Sequence, residues 1–337
     1  MTSHAEYGLK TPGTEVAKAF KNELKGKNSK LIYLSASVPR LGKLKLGSTV
    51  LVTGIGPKGI GGATARAFAS QEPALLILAS RTQEKIDSVA TNIRAAHPNL
   101  RVETVLLDLA SQKSIRKAAG EIQKLTDKLD ILVNNAAAVV YTRSKTAEGI
   151  ELQFGVNHVG PFLLTNLLMP LLLKSAETGS PGSTRIVSLT SAGHRLSPVR
   201  FSDYNLEGKP IPKEEEPFSP MPPMFAKSAE DGYNGTVAYA QSKTANILFT
   251  VYLQEHLHKR GIASYVLHPG STISNTLPSP LEPCGHSLIN HPEQASTRNW
   301  AVTRTKLWLK NSRMSRPIGG RKMRAVPPPW LRLWILA

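Results

Sequence analysis

The stretch that most restricts what this chain can fold into is Thr49-Val50-Leu51-Val52-Thr53-Gly54-Ile55-Gly56-Pro57-Lys58-Gly59-Ile60-Gly61-Gly62-Ala63, which runs on through an alanine-rich segment to Ala69. A β-branched strand, a glycine turn and a helix follow one another without a spacer. Glycines there let backbone approach a pyrophosphate, and the helix start offers free N–H groups at the positive end of its dipole. A glycine turn alone also suits any strand-to-helix connection, so the order of the later elements has to decide. Residues 74–79 read as a second strand, 102–107 as a third closed by Asp108, and 130–133 as a fourth followed by Asn134-Asn135-Ala136-Ala137. Residues 185–189 form a fifth leading to Thr190-Ser191, and 263–267 a sixth leading to His268-Pro269-Gly270. Helical stretches separate them, including one long helix expected over 150–173 with Asn157-His158-Val159-Gly160 and another over 237–256. Strands alternating with helices predict an α/β fold with a doubly wound parallel sheet.

Tyr239-Ala240-Gln241-Ser242-Lys243 carries the chemistry. On a helix it places a phenol and an ammonium one turn apart on one face. A free phenol titrates near pH ~10, and a fixed cation favours its ionised form, so the pairing predicts an acidified tyrosine. The same spacing recurs at Tyr141-Thr142-Arg143-Ser144-Lys145, in a loop-like stretch, and is read as a decoy.

Residues 49 to about 277 resemble the short-chain dehydrogenase/reductase family, on the glycine turn at 53–61, Asn134-Asn135-Ala136, Asn157, Ser191, Tyr239 with Lys243, and Pro269-Gly270. The phrases around Asn157 and His268 are most similar to retinol-dehydrogenase-like members and to fungal reductases. The resemblance implies a single-domain Rossmann fold and hydride transfer between a nicotinamide and a carbonyl or alcohol, with no metal. It implies Tyr239 as general acid/base, Ser191 as the residue holding the substrate oxygen, Lys243 as the partner of the nicotinamide ribose, and Asn157 as a member of the proton relay. It places Gly54, Lys58, Gly59, Ile60, Gly61, Ser80, Arg81, Asp108, Asn134, Tyr239, Lys243, Pro269, Gly270 and Thr272 around the cofactor. An NAD site presents a carboxylate after the second strand; here stand Ser80 and Arg81, with Lys58 nearby, so NADP(H) is favoured over NAD(H). Asp108 resembles the residue beside the adenine, and Asn134 one that supports the sheet and borders the cofactor.

Two departures stand out. Four residues separate Gly54 from Gly59, one more than usual, and Ser191 and Tyr239 lie 48 apart. The extra length falls in 197–235, a proline-rich excursion with Glu214-Glu215-Glu216; a substrate-facing wall and a solvated surface loop are both open readings.

The chain of 337 residues, 41% hydrophobic, suits one core of 49–277 flanked by extensions at 1–48 and 278–337. Its net charge of +18 is mostly terminal: residues 1–45 carry +6 and 279–337 carry +8. Without a nucleic-acid module this argues against nucleic acid as partner. The first 30 residues lack an apolar core, Cys284 is the lone cysteine, and the apolar run 163–173 is broken by Thr165, Asn166 and Pro170. We expect a cytoplasmic protein, not indicated for membranes, that takes a small lipophilic carbonyl or alcohol; a homo-oligomer is compatible with this reading. Residues 28–48 interrupt a natural join between Lys27 and Thr49, as an insertion or retained intron would. The basic, proline-rich tail shows no seventh strand, as after a frameshift. The alternative function is therefore a cofactor-binding protein of weak or no catalysis.

Overall fold

The computed structural model describes residues 47–270. The expected insertion over 28–48, but for Ser48 and Gly47, and the tail over 278–337 lie outside the described residues, as does Thr272. Six strands are described: β1 (Thr49–Thr53), β2 (Leu75–Ser80), β3 (Arg101–Leu106), β4 (Ile131–Asn134), β5 (Thr184–Leu189) and β6 (Ile262–Leu267). They pair in parallel in the order β3-β2-β1-β4-β5-β6. This is the doubly wound Rossmann arrangement, and each strand lies within one residue of its expected position.

The helices divide between the two faces. Val50 and Val52 of β1 pack with Leu76, Leu78 and Val133 beneath α1 (Ile60–Ala69) and α2 (Gln83–Ala96). Leu51 points the other way, joining Ile77, Leu132 and Ile186 against α3 (Gln112–Leu125) and the later helices. Every residue of β1 is buried, which is why the strand is one continuous apolar run. Buried polar groups tie its entry: Asp130 accepts from the Thr49 amide at 2.7 Å and from Ser175 Oγ at 2.7 Å.

The single long helix expected over 150–173 is corrected to a broken one. It begins as α4 (Leu152–Phe154), widens into a π-turn (Gly155–Val159), continues as α5 (Gly160–Leu167), and restarts after Leu168 as α6 (Met169–Thr178). The axis bends by 56° at Leu168. Pro170, in the first turn of α6, supplies no N–H to the preceding turn and forces the restart. Among the described residues no single helix is long and apolar enough to cross a membrane.

Helix α8 (Gly235–Leu257) is reached through the excursion. That segment holds one 3-10 turn (Lys213–Glu215) and the short α7 (Pro223–Ala226); much of it is exposed, but a few of its residues are packed into the protein. Leu206 and Tyr233 form a small core with Val237 and Ala238, while buried Glu215 accepts from the Ser202 amide at 2.8 Å. Arg143 fastens it from across the molecule, bonding the Leu206 carbonyl at 2.8 Å and pairing with Asp231.

Candidate active site

The chain turns outward from β1 to β2 and β3, then crosses back to β4 on the other side, opening a crevice at the carboxyl ends of β1 and β4. Thr53 closes its floor. Its hydroxyl donates to the Val133 carbonyl at 3.2 Å and accepts from the Asn135 and Ala136 amides at 3.1 and 3.2 Å. Asn135 Nδ2 returns to the Thr53 and Gly54 carbonyls at 2.7 and 3.1 Å. Gly54 has φ +74°, and a Cβ there would lie 2.5 Å from the Ala136 Cα, so only glycine fits. Side chains at Gly61 or Gly62 would run into the carbonyls of Gly54 and Gly56. The start of α1 is thereby drawn against the turn, and its first amides have no carbonyl a turn earlier to bond.

This cradle fits the pyrophosphate of a dinucleotide. Around it Lys58 and Arg81 are exposed, Ser80 ends β2 half-buried, and Gly59 and Ile60 open α1. The longer turn is held by Arg66, which donates to the Pro57 carbonyl at 3.3 Å. Asp108 follows β3 and accepts from the Ala110 amide at 2.9 Å, leaving its second oxygen outside that turn. Asn134 lies deeper, donating to Thr165 Oγ1 at 3.1 Å and so bracing α5 to the sheet; its neighbour Asn135 is the one that touches the glycine turn. Pro269 and Gly270 follow β6, half-buried, with Gly270 at φ +77°.

Ser191, Tyr239, Lys243 and Asn157 come together at the same end of the sheet. Ser191 caps a 3-10 turn (Ala192–Leu196), its Oγ accepting from the Gly193 amide at 3.1 Å, and its side chain lies near enough to the Tyr239 hydroxyl to favour the phenolate. Gly193 leaves room for the Tyr239 ring: a Cβ there would be 3.4 Å from it. One turn along α8, Lys243 is 2% exposed; its Nζ lies 5.5 Å from the centre of the Tyr239 ring and donates to the Leu189 carbonyl at 3.1 Å. Burial draws the Lys243 ammonium down to about 8. Burial also pushes the Tyr239 phenol up, against the Ser191 side chain and with a smaller push from Tyr141. The cation alone predicts a lowered phenol, whereas in this structure the largest influence on Tyr239 is burial, which raises it.

Asn157 sits in the π-turn, a widening often found at functional sites. Its Oδ1 accepts from the Ala138 amide at 2.6 Å, and its Nδ2 donates to the Ala138 carbonyl and Ser242 Oγ, both at 3.0 Å. One side chain thus joins the segment after β4 to the helix carrying Tyr239. Tyr141, read as a decoy, ends that segment, 47% exposed and close enough to act on the Tyr239 phenol.

Several supporting residues escaped the sequence reading. Asn246 Nδ2 donates to the Leu189 carbonyl at 3.2 Å, the same oxygen that holds Lys243. His158, buried among Phe154, Phe162 and Phe249 and near Asn246, is drawn down to about 4 by burial, so it is neutral. Asn246 lies one turn after Lys243, a spacing that could have flagged it. Thr53 and Gly62 were inside the quoted motif but assigned no part.

The sequence model of the short chain dehydrogenase family matches residues 48–205. The chain is 33% identical to oxidoreductase fscI of Fusarium equiseti, over 79% of this chain and 95% of that one. It is 36% identical to human retinol dehydrogenase 13, over 74% of this chain and 70% of the relative. Among solved structures, an uncharacterised protein from Mycobacterium paratuberculosis superposes with a TM-score of 0.50 at 26% identity, covering 82% of this chain and 79% of that one. A Pseudomonas aeruginosa RhlG/NADP complex shares the fold with a TM-score of 0.50 at 23% identity, covering 78% of this chain and 89% of its own. With so much of two relatives' length matched and the family model matched over 48–205, this chain is an oxidoreductase belonging to the short-chain dehydrogenase family.

Proposed function

We propose that this protein is an NADP(H)-dependent reductase that converts an aldehyde or ketone on a small lipophilic molecule to the alcohol, and the reverse. The observation that carries the reading is the convergence of Ser191 and Tyr239 on either side of Gly193, with Lys243 buried one turn below and its Nζ 5.5 Å from the Tyr239 ring centre. Both hydroxyls can reach one substrate oxygen: Ser191 orients it, and Tyr239 gives it a proton as negative charge develops there. A phenol pushed up by burial is protonated at neutral pH, which suits the reducing direction. Lys243, held by the Leu189 carbonyl, presents its charge to a ribose hydroxyl and supports the proton supply, while Asn157 holds the two sides of the site at fixed spacing. The bound nicotinamide supplies or takes the hydride at C4.

Preference for the phosphorylated cofactor is supported by Ser80 standing where an acid would accept ribose hydroxyls, and by exposed Arg81 and Lys58. A lipophilic substrate fits the residues beyond β4, Ala136 to Val140, and the similarity to retinol dehydrogenases adds retinal to the compounds worth testing. A cytoplasmic setting accords with the lone Cys284.

The test is loss of reduced-nicotinamide absorbance with NADPH and with NADH, over aliphatic aldehydes, cyclic ketones and retinal. We expect turnover with NADPH on at least one class, abolished in Tyr239→Phe by a factor of ~100 or more with NADPH binding retained. NADPH binding without turnover of any compound would replace this reading with a cofactor-binding protein that does not catalyse.

A further inference from the structure

Gln153 is a buried polar side chain that this chemistry leaves unused. It stands in α4 with no exposure, and its Nε2 lies 2.9 Å from three oxygens on two separate stretches: the Val140 carbonyl on one, the Tyr233 hydroxyl and the Gly235 carbonyl on the other. A carboxamide nitrogen has two hydrogens to share among them. The Tyr233 proton goes elsewhere, to Glu151 Oε1 at 2.8 Å, and Glu151 also accepts from the Gln153 and Phe154 amides at 2.9 and 2.7 Å. Tyr233 is itself fully buried, with the Arg143 guanidinium 5.3 Å from its ring centre.

The backbone geometry around this bridge is tight. A Cβ on Gly235 would overlap the Val140 carbonyl oxygen and lie 2.9 Å from the Tyr141 Cα. The segment after β4 and the first turn of α8 therefore meet backbone to backbone, with Gln153 donating to a carbonyl on each side of the seam. Asn157 fixes the same segment two residues earlier, at Ala138. Tyr239 lies four residues beyond Gly235, on the next turn of α8.

We propose that Gln153 is a positioning residue for Tyr239: it holds the segment 138–141 against the start of α8 and so limits the access of water to the half-buried Tyr239 phenol. The proposal rests on the reading of Tyr239 as the acid for its bearing on turnover, but the closure itself can be measured without any substrate. Burial is the largest cause of the raised Tyr239 phenol, and the groups facing it are Ser191, Tyr141 and Lys243. If the seam opens, water reaches the hydroxyl and the phenol titrates lower.

The full-length protein, labelled with 13Cζ tyrosine, provides the measurement, with the Tyr239 resonance assigned by its loss in Tyr239→Phe. Gln153→Met keeps the length of the side chain and removes the donors; Gly235→Ala opens the same seam from the other side and leaves Gln153 in place. In both, Tyr239 should titrate at least about half a pH unit lower than in the wild type, NADPH affinity should be unchanged, and kcat should fall by about tenfold with KM little moved. Tyr233→Phe removes one acceptor and leaves Gln153 its two carbonyls, so its Tyr239 titration should match the wild type even though its Tm drops. A wild-type Tyr239 titration in folded Gly235→Ala overturns the proposal, and that variant decides the matter if Gln153→Met does not fold. Should Tyr239→Phe keep its turnover while the titration still shifts in the two seam variants, the acid assignment fails and the closure stands.

Discussion

Lys243 shows how one side chain can serve two ends. Its ammonium has little water, so burial brings it down to about 8 from an ordinary 10.5, and the folded protein gives up that proton before the unfolded chain would. Burying the charge therefore costs stability below pH 8, and the cost fades as pH rises from there toward 10.5. Binding runs the other way, because a ribose hydroxyl or a phosphate is better held by the charged form. NADPH affinity in the wild type should weaken as pH rises through about 8, and in Lys243→Met it should be weaker throughout and flat across that window, as a fluorescence titration at several pH values would show. A wild type equally flat would mean that Lys243 does not face the cofactor. Arg81 offers a cleaner electrostatic case, since it is exposed and pairs with no acid among the described residues. Arg81→Asp should replace attraction for a 2′-phosphate with repulsion and shift the NADPH-to-NADH ratio of kcat/KM by about tenfold or more toward NADH. An unchanged ratio would remove Arg81 from the ribose site.

At the level of elements, the sheet was legible and the breaks in the helices were not. Strands buried on both faces, such as β1, have to be apolar runs, and their order with glycine turns between them leaves few topologies. Nothing comparable marks the π-turn at Gly155–Val159: the apolar period continues through it, and the extra residue is visible only in the backbone. Pro170 was noticed as an interruption of a hydrophobic stretch, but the 56° bend it sets depends on α6 following the sheet toward Thr184. The excursion stayed open between two readings for a related reason. Its prolines exclude regular structure, yet they say nothing about whether Glu215, Leu206 and Tyr233 find partners elsewhere, and all three do. The direction of the Tyr239 shift was hidden in the same way, since spacing reveals the lysine but not the burial that raises the phenol. The π-turn invites its own test. Asn157→Ala deletes bonds to both Ala138 groups and to Ser242, so urea unfolding should register a loss of about 2–4 kcal/mol and turnover should fall with it. A loss too small to measure would show that the turn holds without Asn157.

Considered as a whole, the molecule assembles its crevice from parts that are far apart along the chain. Thr53 meets Asn135 and Ala136 across 82 and 83 residues, Lys243 meets Leu189 across 54, and Gln153 meets Gly235 across 82. None of these contacts can form while the intervening chain is still being made or is still searching for its place. Local helices such as α1 and α2 can appear early, but loop closure has to precede any reward from β1 pairing with β4. The nascent glycine turn is thus an exposed backbone cradle on a strand whose neighbour at the switch point does not yet exist. During synthesis its apolar edge depends on β2, paired with it from Thr49 and Leu75 onward, for cover. Because the cradle needs Thr53 bonded to Asn135 and Ala136, a dinucleotide that binds only the finished crevice stabilises the folded chain as a ligand of the completed sheet.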